Sequence, residues 1–396
     1  MIAAVPEPHR RSKAATPLGE IARLFLKLGA TAFGGPAAHV AMMEEEVVRR
    51  RGWLSRDEFL DYLGATNLIP GPNSTELAIH IGHARAGWSG LVVAGMAFIL
   101  PATVIVTAVA WGYVRYGSLP QVEGLLYGVK PVVMAVVAQA LWSLGRSALK
   151  SRVLAIVGIA ALVAALAGVH ELVVLAATGV VTAIIAVGSQ LRRTAGVPLL
   201  AATLSGSAAL AAGGSAAIST AAGPVTLWPL FLVFAKTGAV LFGSGYVLLA
   251  FLRADLVERL GWLTERQLLD AVAIGQVTPG PVFTTATFVG YVLAGPTGAV
   301  VATVGIFLPA FFFVAVSGPL VPRLRQSPRA GAVLDGVNVA SLALMAAVSW
   351  QLGRAALVDP VTVCLILASL VGLIHFRINS AWLIGAGAAI GWFLRQ

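Results

Sequence analysis

Apolar residues run through this chain in blocks long enough to cross a bilayer. Stretches free of Asp, Glu, Lys and Arg cover Ala86–Val114 (29 residues), Thr194–Ala235 (42) and Thr297–Pro322 (26), and roughly 20 apolar residues span a hydrocarbon core. The runs are continuous instead of alternating, so they predict helices and exclude the short dyad-repeat segments of a membrane β-barrel. Long spans are expected at 86–114 and 297–320 and second spans at about 123–145 and 332–353. Further spans are expected at 153–169, 172–190, 361–376 and 380–394. The chain ahead of each long span is different. It falls into pieces of about 13–15 residues, or roughly 20 Å of helix, broken at Phe33-Gly34-Gly35-Pro36 and again at Pro70-Gly71-Pro72. Such pieces are too short to cross but long enough to enter and turn back. They predict re-entrant hairpins, with the polar stretch Glu44–Glu58 at the surface between them.

The same order of features occurs twice. At an offset of 209, Lys27 meets Lys236, Gly29 meets Gly238 and Phe33-Gly34 meets Phe242-Gly243. Gly52-Trp53-Leu54 meets Gly261-Trp262-Leu263, Asp61 meets Asp270, and Pro70-Gly71-Pro72 meets Pro279-Gly280-Pro281. After a one-residue slip, Leu100-Pro101-Ala102 faces Leu308-Pro309-Ala310, and Leu144-Gly145-Arg146 faces Leu352-Gly353-Arg354. Matching tripeptides rich in Pro and Trp at one offset establish an internal duplication. The chain divides into a cytoplasmic tail (1–17), a first repeat (18–190), a connector with an extra span (191–226) and a second repeat (227–396). Basic residues set the orientation. Arg146, Lys150 and Arg152 follow the second span of the first repeat, whereas Arg323, Arg325 and Arg329 precede the second span of the second. Equivalent loops carry opposite positive bias and so are expected on opposite sides of the membrane. The fold class expected is an all-α polytopic membrane protein made of two homologous halves in an inverted-topology repeat.

Composition agrees. The chain is 58% apolar and 11% charged, with a mean hydropathy of +0.88, against about 25% charged residues in a soluble protein. The net charge of +10 is accounted for by the positive-inside loops, so no nucleic-acid partner is implied. A single cysteine, Cys364, excludes an intramolecular disulfide and any Cys-based metal site. The N-terminus, with Arg10 and Arg11, lacks the apolar core of a signal peptide and is expected in the cytoplasm. Phosphate-loop, zinc-protease and nucleophile-elbow motifs do not occur, so neither an enzyme nor a cofactor is expected.

Inverted repeats of discontinuous helices are transporter architecture, with substrate held by half-helix ends near the midplane. Pro72 before Asn73, Ser74 and Thr75, and Pro281 before Thr284 and Thr285, read as helix starts whose free N–H groups suit an oxyanion. Gly35-Pro36 and Gly243-Ser244 are candidates for two further helix ends. Lys27 and Lys236 lie in otherwise apolar stretches, where an ionisable group is a functional candidate. Glu76 and His80 are candidates for coupling a proton to transport. Asp61 and Asp270 read as helix-surface acids, and Trp53 and Trp262 as interfacial anchors.

The combination of Lys27-x-Gly29, Phe33-Gly34-Gly35-Pro36, Gly52-Trp53-Leu54-Ser55 and Pro70-Gly71-Pro72-Asn73 resembles the signature of the chromate ion transporter family. The second copy and the length resemble its long, two-domain members. Half two departs from the signature, since Gly35-Pro36 becomes Ser244-Gly245 and Asn73 becomes Val282. The resemblance implies a plasma-membrane protein that expels chromate and confers chromate resistance, with sulfate as the natural look-alike. A sulfate or oxyanion importer and an anion channel are the alternatives. A homodimer is left open.

Overall fold

The computed structural model describes residues 16–33, 35–116, 120–195, 225–242, 247–317 and 328–394. Among the described residues every regular element is helical. The first repeat comprises α1 (Leu18–Thr31), α2 (Gly35–Glu44, running on as a π-helical turn Glu45–Arg50), α3 (Arg56–Thr66), α4 (Asn73–Tyr116), α5 (Pro120–Ala148), α6 (Arg152–Leu166) and α7 (Glu171–Ala195). The second comprises α8 (Leu227–Val240), α9 (Leu248–Leu252, running on as a π-helical turn Arg253–Arg259), α10 (Glu265–Val277), α11 (Thr285–Ser317), α12 (Pro328–Ala356), α13 (Pro360–Ile374) and α14 (Ser380–Leu394). Five helices are long and apolar enough to cross a membrane: Asn73–Tyr116, Glu123–Arg146, Glu171–Gly188, Val282–Ser317 and Ala330–Arg354. At 15 residues each, α6, α13 and α14 extend about 22 Å, short of the roughly 30 Å core that full spans require. The extra span expected in the connector, and Gly34, Gly243 and Ser244, lie outside the described residues.

Local sequence explains the repeated breaks. Ser55 caps α3 by a reciprocal bond pair with Glu58, and Thr264 caps α10 in the same way with Gln267. Each long span is joined to a shorter helical piece ahead of it, and a break separates the two. Ala86-Gly87 interrupts α4 and Ala294-Gly295 interrupts α11, with Gly87 at φ 61° and Gly295 at φ 62°. Just beyond each break, Gly29 of α1 lies against the Phe98 carbonyl and Gly238 of α8 against the Ile306 carbonyl. Small residues let membrane helices approach this closely.

The repeats interlock. Helices α6 and α7 pack on α12, while α13 and α14 pack on α5. Helices α5 and α12 run antiparallel. Lys150, just past the end of α5, pairs with Asp335 near the start of α12 at 2.7 Å, while Tyr127 near the start of α5 donates to Asp359 past the end of α12 at 2.5 Å. The interfacial role expected for Trp53 is not what the fold uses. Trp53 is buried, with the Arg51 and Arg85 guanidinium groups 5.3 Å and 5.8 Å from its ring.

Candidate functional site

The two broken regions meet by exchanging backbone bonds. The Gly280 N–H donates to the Ala32 carbonyl at the end of α1 (3.0 Å), and the Gly71 N–H donates to the Leu241 carbonyl at the end of α8 (2.8 Å). Ala32 and Leu241 are equivalent at the 209 offset, as are Gly71 and Gly280, so each Pro-Gly-Pro turn closes on the other repeat's first helix. Such bonds supply partners that lipid cannot give to interrupted backbone. The Ala32 carbonyl also meets His39 Nε2 (3.0 Å), and His39 Nδ1 lies 3.3 Å from Ser74 Oγ. His39 thereby ties the α1 end to the start of α4.

Beside these tips lies a cavity of about 400 Å³. Pro36, Pro72, Asn73 and Ser74 line it from the first repeat's tip, and Val247, Pro281, Val282 and Phe283 from the second's. Leu144 and Lys150 close one wall; Asp335, Asn338 and Ser341 project from α12 on another. Asn73 Nδ2 donates to Asn67 Oδ1 (2.9 Å) across the break. Asn73 Oδ1 and Ser341 Oγ are buried without a hydrogen-bond partner, leaving polar capacity at the cavity wall. The chamber thus offers a helix start, neutral polar groups and one Lys–Asp pair. A second, much smaller void of about 10 Å³ lies further along α5, walled by Val137, Gln276, Val282 and Thr285.

The candidates distribute unevenly. Pro36, Pro72, Asn73, Ser74 and Pro281 reach the cavity. Gly35 opens α2 at φ 78°, while Pro70, Gly71, Pro279 and Gly280 form the turns behind it. Thr284 and Thr285 are buried and donate to the carbonyls of Pro281 and Val282, both at 2.8 Å, so their hydroxyls hold the turn. Thr75 and Glu76 are fully buried at the start of α4. Both Glu76 carboxylate oxygens lack a hydrogen-bond partner, and His80 stacks on Tyr62 with ring centroids 5.6 Å apart.

Neither lysine lines the cavity. Lys27 Nζ pairs with Glu46 at 2.8 Å, and Lys236 Nζ pairs with Asp255 at 2.5 Å and with Glu171 at 3.4 Å. Arg50 joins Glu46 and Arg259 joins Asp255. The hydrogen bond from Lys27 holds the Glu46 carboxyl below the usual carboxylate range, against the opposing effect of burial. Each cluster fastens the first helix of its repeat to the following π-helical turn, and so positions the tip. Lys236→Ala is therefore expected to destabilise the fold by about 2 kcal/mol, below the full cost of breaking a buried pair because Arg259 remains on Asp255. Adding Asp255→Asn is expected to restore transport to within about threefold of the starting chain. A double variant as inactive as Lys236→Ala, yet equally stable to heat, would place the ammonium in the path itself.

Asp270 is not a surface acid. It is 1% exposed, pairs with Lys130 at 2.8 Å and accepts from the Tyr113 hydroxyl at 2.8 Å. Asp61, its equivalent, is exposed as expected. Sequence reasoning passed over Asp335, Asn338 and Ser341, although polar groups at i, i+3 and i+6 of an apolar span mark one functional face. It also passed over Glu46 and Asp255, which stand at the same 209 offset as the lysines they bind.

A family model described as Chromate transporter matches residues 19–184 and 228–392. The chain is 31% identical over 381 residues to the chromate transport protein of Cupriavidus metallidurans, covering 94% of this chain and 92% of that one. It is 34% identical over 333 residues to the chromate transport protein of Pseudomonas aeruginosa, covering 83% and 80%. No solved structure matches the chain significantly.

Proposed function

Since the chain belongs to the chromate ion transporter family, we propose that it is a secondary transporter that exports chromate across the plasma membrane and so confers chromate resistance. The observation that carries this reading is the chamber of about 400 Å³ where tips of both repeats converge. Chromate is a tetrahedral dianion at neutral pH. The start of α4 presents partial positive charge and free N–H groups toward the chamber, and Asn73, Ser74, Asn338 and Ser341 add neutral donors. In this reading Gly35, Pro36, Pro70, Gly71, Pro72, Thr75, Pro279, Gly280, Pro281, Thr284 and Thr285 shape the anion site. Lys27 and Lys236 act on it by positioning α1 and α8; Gly34, Gly243 and Ser244 belong to it on sequence grounds.

The antiparallel run of α5 and α12, which are sequence equivalents, supports an inverted-topology repeat. Arg146, Lys150 and Arg152 adjoin the end of α5, and a basic sequence run adjoins the start of α12, so the positive-inside rule makes this face cytoplasmic. Thr16 donates to the Arg85 carbonyl beside the start of the 88–116 segment, which supports a cytoplasmic N-terminus. The chamber then loads from the cytoplasm. Moving a dianion outward gains about 4.6 kcal/mol per 100 mV of negative-inside potential, twice the value for one charge. A void with room for about one water beyond the tips supports a carrier over an open channel. Charge and shape are common to chromate and sulfate, and sulfate is expected to compete.

Expression in a chromate-sensitive host is expected to lower cell chromate several-fold and raise tolerance. Unchanged chromate with raised sulfate content would overturn export in favour of sulfate import. Glu76 and His80 are the proposed proton-coupling groups, Glu76 on the strength of its buried, unpartnered carboxyl. Glu76→Gln is expected to abolish flux driven by a pH gradient alone, while flux driven by potential alone persists. Equal loss of both would make Glu76 part of the tip's structure instead.

A further inference from the structure

At the opposite ends of α5 and α12 is a third space of about 360 Å³. Tyr127, Lys130, Ala356 and Val358 line it, and at the 208 offset these positions are the equivalents of Asp335, Asn338, Ala148 and Lys150, which line the chamber. The two cavities are therefore one feature of the repeat, written once at each end of the same helix pair. They differ in depth. The chamber reaches the Pro-Gly-Pro tips, whereas no tip residue lines its counterpart. Between the counterpart and the tips stand Asp270, buried and paired with the part-buried Lys130 of the cavity wall, the Tyr113 hydroxyl bonded to Asp270, and then the void of about 10 Å³ walled by Val137 and Gln276.

We propose that this cavity is the opposite mouth of the transport path, and that Lys130 is its oxyanion-binding cation, held by Asp270 while substrate is absent. The proposal rests on the transport reading above. A buried ion pair contributes little net stability, and an intramembrane charge is by default functional. A staple needed for the fold would serve both repeats, yet the equivalent of Lys130 in the second repeat is the neutral Asn338. The Lys130–Asp270 ion pair and the Tyr113 hydroxyl stand where the path is shut. A dianion arriving from the tips takes the ammonium from Asp270, whose carboxylate keeps the Tyr113 hydroxyl, and the α5–α10 contact is released. Arg266, paired with Glu123 at 2.7 Å at the same cavity, gives the departing anion a second positive group.

Chromate flux in vesicles separates this from a structural pair. Lys130→Gln combined with Asp270→Asn leaves no unpaired buried charge, and is expected to remain in the membrane with flux reduced at least tenfold; Lys130→Arg is expected to keep flux within about threefold. Full flux in the neutral double variant would make the pair a staple and overturn the proposal. With the exposed Cys364 replaced by Ser, an impermeant maleimide is expected to reach Ala148→Cys from the cytoplasmic face and Val358→Cys from the other. Labelling of both from one face would overturn the second mouth whatever the flux. An unaltered chain that moves no chromate would overturn the transport reading, and labelling sidedness then decides the second mouth by itself.

Discussion

Asn338→Asp is expected to cut oxyanion flux at least a hundredfold while leaving the protein inserted and folded. Asn338 sits on the cavity-facing side of α12, one turn from both Asp335 and Ser341. The substitution changes shape little and adds one negative charge to the wall. At about 5 Å and an effective dielectric near 20, that charge costs a monoanion about 3 kcal/mol, and a dianion about twice as much. A hundredfold loss needs only about 2.7 kcal/mol, so the estimate leaves room for Lys150 to offset part of the new charge. Asn338→Gln, neutral and one methylene longer, is expected to stay within a few-fold of the starting flux. Initial rates of chromate uptake, normalised to membrane-inserted protein, check both. Rates for Asn338→Asp within threefold of the starting chain would mean that the dianion does not pass this wall.

Gly280→Ala is the second large effect. Gly280 has φ 90°, and a Cβ there would lie 2.7 Å from the Ala102 Cβ and 2.9 Å from the Gly29 carbonyl oxygen. The backbone strain alone is worth about 1–3 kcal/mol, and relieving the collision pulls the Gly280 N–H off the Ala32 carbonyl. Flux is expected to fall at least tenfold, with a lowered thermal midpoint. Gly71→Ala, whose new Cβ would collide with Glu76 Oε1 at φ 139°, is expected to behave alike. Gly87 provides the contrast. It also has positive φ, but open space surrounds the added methyl. Gly87→Ala, at φ 61° and ψ −145°, is expected to cost about 1–3 kcal/mol of backbone strain with little change in flux. Equal flux in all three variants would detach the tips from transport.

These sites also show how much of the molecule was legible in sequence. The duplication and the broken helices were, because Gly and Pro at the turns answer to stereochemistry that no other residue satisfies. The breaks at Ala86-Gly87 and Ala294-Gly295 fall where the long spans are expected to begin, at 86 and 297, but nothing in sequence marks Gly87 and Gly295 as the positive-φ residues that make them. The lysines were found as a pair and assigned to the anion, but their acids lie 19 residues further on in each repeat, across a turn that brings them back. Asp270 read as a surface acid because its partner, Lys130, is 140 residues earlier in the chain. The tip half of the chamber was legible; the α5 and α12 half required the antiparallel packing of two helices that sequence could place in order but not against one another.

The central claim is that a dianion loaded from the cytoplasm crosses between these tips and is drawn outward by the membrane potential. Inside-out vesicles with an imposed inside-positive potential, followed by labelled chromate with and without excess sulfate, test it most directly. Saturable uptake that collapses with the potential, diminishes under sulfate competition and disappears in Asn338→Asp is the predicted result. Uptake that is absent at any potential, or that rises linearly with chromate without saturating, would contradict it.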